Sequence, residues 1–188
     1  MARNRYVKDY RLLEHFGENG RVRTGYEYIG DPYRFCAGEA QARASLKKAL
    51  ALCAGGWILW LLALTQNTQV MRSLFSSLSF AFAALPLGML TSLLIGTLSA
   101  KGTLEHRHAD KLNIRYPALT VILMLLLAAV LVWDAVLLVR GAHQNTGDLI
   151  FAVCACLFLA DAALLFRSRD GLRAEAVPPQ EREEQKTE

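Results

Sequence analysis

Residues 74–100 read LFSSLSFAFAALPLGMLTSLLIGTLSA, 27 residues without a charged side chain. As a helix this stretch is about 40 Å long, enough to cross a hydrocarbon core of ~30 Å. From its middle onward every fourth residue is small: Ala84, Gly88, Ser92, Gly96 and Ala100. At helical spacing these form one ridge, and small side chains allow a neighbouring backbone to come close. The ridge is therefore expected to pack inside a helix bundle, with a subunit interface as the alternative. Pro86 removes one backbone hydrogen bond near the middle of the span and is expected to kink it.

Three further apolar runs surround this one. A chain of 188 residues would suit one soluble domain, but 53% apolar residues gathered into four runs point to lipid as the solvent. The expected fold class is all-α integral membrane: a four-helix transmembrane bundle over residues 38–168, with spans near 46–66, 74–100, 116–139 and 148–166. A small cytosolic β-hairpin extension precedes it over residues 1–37, and a charged, disordered tail is expected over 169–188. Of the 21 Lys and Arg residues, all but Arg72 and Arg140 fall in the N-terminal segment, the 101–115 loop or the tail. That asymmetry places both termini in the cytosol by the positive-inside rule. The first apolar run begins near Ala49, so no cleavable signal peptide is expected. Cys53, Cys154 and Cys156 lie in apolar runs and Cys36 on the cytosolic side, which argues against a disulfide framework.

Ahead of the spans the periodicity changes from helical to alternating. Tyr6, Tyr10, Leu12 and Phe16 fall at alternating positions along one segment and Val22, Tyr26 and Tyr28 along the next, a hairpin pattern. A three-residue turn at Glu18-Asn19-Gly20 sets Phe16 opposite Val22, Glu14 opposite Thr24, Leu12 opposite Tyr26 and Tyr10 opposite Tyr28. A two-residue turn would instead set Phe16 against Arg23 and lose the apolar face. Tyr33 to Phe35 is a candidate third strand. Two strands alone are marginal in water, so this tyrosine-rich face needs a cover, and another polypeptide is the expected one.

Residues that could carry chemistry are few. Asp134 and Asp161 are the ionisable side chains within the spans, and an intramembrane acid is a functional candidate by default. They fall in opposite halves of the bilayer, so one proton-sharing pair is not expected. Trp133 beside Asp134 suggests an interfacial position, hydrated or paired near the headgroups. The run Glu105-His106-Arg107-His108-Ala109-Asp110 contains nitrogen and oxygen ligands, but it reads as a solvated loop rather than a set of about four convergent zinc ligands. His15 and His143 have no sequence partners that suggest a triad. Small bacterial four-span transporters carry a membrane-embedded glutamate in their first span, whereas span one here holds no acid.

The expected function is thus non-enzymatic: an interaction or assembly component of a membrane, taken as a bacterial cytoplasmic membrane, docking through the hairpin. The alternative is a small transporter or channel using Asp134, Asp161 or both. No cofactor, metal or nucleic acid is expected. The partners are the lipid bilayer and a protein partner or second copy.

Overall fold

The computed structural model describes residues 9–16, 22–99, 104–141 and 145–178, with side chains within 13–16 and 22–28 and that of Tyr10 outside the description. It is mostly helical, with four helices long and apolar enough to cross a membrane and a small strand pair at the N-terminus. The strands are β1 (Tyr10–Phe16), β2 (Val22–Tyr28), β3 (Tyr33–Phe35) and β4 (Ala174–Ala176). The helices are α1 (Glu39–Leu64), α2 (Gln69–Arg72), α3 (Leu74–Phe82), α4 (Ala84–Ser99), α5 (His106–Asp110), α6 (Tyr116–Val139) and α7 (Thr146–Arg167).

β1 and β2 pair antiparallel with Tyr10 opposite Tyr28, Leu12 opposite Tyr26, Glu14 opposite Thr24 and Phe16 opposite Val22. This is the register read from the apolar pattern. The turn residues and Tyr6 lie outside the described residues. β3 does not extend this sheet. It pairs instead with β4, Tyr33 opposite Ala176 and Phe35 opposite Ala174. The disorder expected from residue 169 therefore does not hold for the first part of the tail. Residues Ser168–Leu172 form a 3₁₀ turn, and β4 is tied on both sides by Cys36 N–H to Arg173 O and Val177 N–H to Pro32 O, each 3.0 Å. Low apolar content did not prevent order because the binding is through backbone groups, to which side-chain composition is blind.

The span expected over 74–100 is interrupted at Ala83, between α3 and α4. Pro86 has no N–H to offer the Phe82 carbonyl, so the regular ladder fails just upstream of it. Trp60 Nε1 donates to Phe80 O at 3.0 Å, supplying an acceptor in this last turn with a donor from α1. The third span keeps its expected bounds as α6, but the segment before it is also helical, α5 running through a π-helical turn at Lys111–Arg115 directly into α6. Pro117 therefore lies inside a continuous helix. Its ring excludes the usual i−4 bond, and the ladder widens there, Tyr116 N–H reaching Lys111 O.

The four long helices pack side by side around Leu87, Leu90 and Leu94 of α4, Leu123 and Leu127 of α6, and Phe151, Phe158 and Leu165 of α7, all buried. Outward they carry exposed Ile58, Leu61, Phe75, Leu85, Met89, Leu125, Val132, Leu149 and Leu157. Apolar residues on both faces are what a lipid-bathed bundle requires.

Candidate functional site

One end of the bundle carries both sheets. Its organiser is Asn113, whose side chain treats β4 as a neighbouring strand would: Nδ2 donates to Ala174 O at 2.7 Å and Oδ1 accepts from Ala174 N–H at 3.1 Å. Tyr116 OH donates to Leu165 O at 2.9 Å and lies 2.8 Å from Ser168 Oγ, holding the end of α7 against the start of α6. Tyr33 N–H donates to Leu104 O at 3.0 Å, and the Tyr33 ring stacks on His106 with centroids 5.3 Å apart. His106 Nδ1 is in turn 3.1 Å from Asp9 Oδ2, just ahead of β1. The hairpin is thereby attached at its base, where Asp9 O also accepts from Ile29 N–H at 2.8 Å. Beyond that base, neither β1 nor β2 pairs with a third strand among the described residues. Leu12, at mid-strand, is 50% exposed.

Inside the bundle, Gly56 of α1 meets α4 and α7 together. A methyl group added there would lie 3.0 Å from Phe158 Cε2, 3.1 Å from Asp161 Oδ2 and 3.3 Å from Leu87 Cδ1. The glycine lets Asp161 enter the contact, and its Oδ2 is buried without a hydrogen-bond partner among the described residues. Trp57 and Trp60, one turn on, meet edge to face at 5.7 Å, and Trp57 Nε1 donates to Thr91 Oγ1 at 3.2 Å. Both indole N–H groups thus find acceptors inside the protein.

Asp134 lies toward the C-terminal end of α6 and Asp161 toward that of α7, consecutive helices joined by a short loop. They occupy opposite ends of the bundle and do not form one site. Asp134 is only 6% exposed and is not without a partner, which fits the paired rather than the hydrated form of the position that Trp133 suggested. Near the same end Asp148 is fully buried, accepting from Gln69 N–H at 3.0 Å and Asn145 N–H at 3.4 Å. This clasp joins the start of α2 to the start of α7. Its signature, Asn145 followed at the third position by Asp148, is a capping box.

Within this single chain much of the small-residue ridge is left uncovered by another helix. α4 buries its bulky stripe, Leu87, Leu90 and Leu94, and leaves Ala84, Gly88, Ser92 and Gly96 along a groove. A methyl group at Gly96 would meet nothing within 4 Å, and one at Gly88 only Trp57 Cζ2 at 3.7 Å. Ala100 lies outside the described residues. Burying three leucines removes more apolar surface than burying small side chains, which decides the rotation of α4.

The Glu105–Asp110 run forms α5. His106 turns to Asp9 and to Asp110, with Nε2 3.7 Å from Oδ1, while His108 Nδ1 is 3.8 Å from Glu105 Oε2. Among the described residues no group of three or more His, Cys, Asp or Glu side chains is arranged to hold a metal ion. No protein-family model, curated protein or solved structure matches this chain.

Proposed function

We propose that this protein is a non-enzymatic membrane component that docks another polypeptide, a partner or a second copy, through its N-terminal hairpin. The observation that carries this reading is the contrast in pairing at the sheet end. β3 and β4 close on each other and on the bundle, whereas among the described residues β1 and β2 have no further strand on their outer edges. Unpaired N–H and C=O groups along a seven-residue strand are a ready template for strand addition, and Leu12 offers apolar area beside them. The attachment through Asp9, His106 and Tyr33 gives the hairpin a fixed base on the bundle. In this reading the sheet end faces the cytosol, because the described basic residues Arg34, Arg107, Lys111, Arg115, Arg169 and Arg173 lie on segments at that end.

The test is the cross-strand double change Tyr10→Ala with Tyr28→Ala. It should release the partner or dissociate the oligomer in native membranes while membrane insertion, which depends on the spans, is unchanged. A wild-type protein that is monomeric and partner-free, with a double variant indistinguishable from it, would remove the docking reading.

A second reading, a small transporter or channel, is favoured by one specific observation: the buried, unpartnered Asp161 Oδ2 where α1, α4 and α7 meet. If Asp161 carries an ion or proton, Asp161→Asn should abolish ion-dependent uptake in proteoliposomes without unfolding the protein. Unchanged flux in this variant, and in Asp134→Asn, is the result the docking reading expects.

A further inference from the structure

The groove between α4 and α6 has a volume of about 460 Å³, within the ~300–1,000 Å³ span of small-molecule sites. Its floor is the small ridge, its lips include Leu85, Met89 and Leu119, and His108, Lys111 and Arg115 also line it. α4 runs toward the loop that precedes α5, so these basic side chains stand beside its Gly96 end and not its Ala84 end. From Ala84 to Gly96 the helix rises about 18 Å, close to the ~15 Å depth of one leaflet. The groove thus starts near the proline-broken middle of the span and ends at a cationic mouth.

Among the described residues that mouth has no counter-charge. Arg107, Lys111 and Arg115 follow one another at four-residue spacing along the continuous helix, and the charges acting on Lys111 are those of Arg107 and Arg115. Like charges so spaced repel. No ion pair within 4 Å joins Lys111 or Arg115 to an acid among the described residues, whereas the nearby acids Glu105 and Asp110 are engaged elsewhere. An apolar trough one leaflet deep, with unpaired cations at one end, is complementary to a single class of occupant.

We infer that this groove holds one anionic glycerophospholipid, an acyl chain lying along Gly88, Ser92 and Gly96 and its phosphate held by Lys111 and Arg115. The small residues have a role on this basis that helix packing does not give them: they leave the width a hydrocarbon chain needs. The inference is independent of hairpin docking, since every lining residue it uses lies on α4, α5, the π-helical turn or α6.

The experiment uses the full-length protein in detergent and in nanodiscs, with phosphatidylglycerol and phosphatidylcholine as probes, read by native mass spectrometry of retained lipid. Wild type should retain phosphatidylglycerol about tenfold or more over phosphatidylcholine, the scale of one to two cation–headgroup attractions. Lys111→Gln with Arg115→Gln should erase that preference, and Gly96→Leu, which fills the trough, should reduce retention of both lipids. Inorganic phosphate in millimolar excess should not compete. Absence of a headgroup preference in wild type would overturn the proposal, as would Gly96→Leu retaining lipid as wild type does. Effective competition by inorganic phosphate would also overturn it, leaving an anion site without a lipid chain. The charge variant alters side chains at the bundle surface, so its reading does not depend on a mutation in the core.

Discussion

Gly56 and Gly96 both stand on apolar helices among small neighbours, yet one is closed in and the other open. At Gly56 an added methyl group would lie 3.0–3.3 Å from atoms of Phe158, Asp161 and Leu87, while at Gly96 it would meet nothing within 4 Å. The same contrast divides the two sheets. β3 and β4 are bound into the bundle end through Asn113, Arg173 and Pro32, and β1 and β2 stand on a single base at Asp9. A closed site is recognised by what lies opposite it and an open one by what could still arrive, which is why both proposals made above rest on the open regions.

The closed side of the comparison is where substitution should cost most. Gly56→Leu has to displace Phe158, Leu87 and the Asp161 carboxylate at once, and a loss of about 3 kcal/mol or more is expected. Thermal unfolding in detergent checks it, and a near-wild-type midpoint would mean that α1 and α7 do not meet there. Next comes Asn113→Leu, which removes both hydrogen bonds to Ala174 and leaves a strand amide and carbonyl unanswered. About 1–3 kcal/mol of local stability should go. Amide exchange at Ala174 and Ala176 should then speed up about tenfold or more, with exchange in α6 unchanged.

The open side should respond far less. Gly96→Leu is expected to change stability by no more than about 0.5 kcal/mol, since the new side chain enters an unoccupied groove. A large destabilisation would show that another helix or a second copy lies on the ridge, and would close this half of the comparison.

How much of this was legible follows the same division. The hairpin register could be read because strand period and turn length together leave one pairing that gathers Phe16, Val22, Leu12 and Tyr26. The break near Pro86 could be read because proline lacks a donor wherever it stands. β4 could not, since Ala174-Glu175-Ala176 has neither β-branched nor aromatic residues, and its order depends on a side chain about sixty positions earlier. What covers the ridge could not be read, because helical spacing aligns residues on a face without saying whether anything lies against it. In α4 the bulkier Leu87, Leu90 and Leu94 stripe took the interior. Lys111 and Arg115 counted only as loop charge until α5 and the π-helical turn brought them onto the groove.

The central claim, that the open hairpin receives another polypeptide, is tested most directly by a photocrosslinking amino acid at Leu12, the half-exposed position on β1, activated in native membranes. Formation of a protein adduct is expected at Leu12, and its loss when Tyr10→Ala and Tyr28→Ala are introduced together. Labelled protein that stays at monomer mass, with adducts to lipid alone or none, would contradict it.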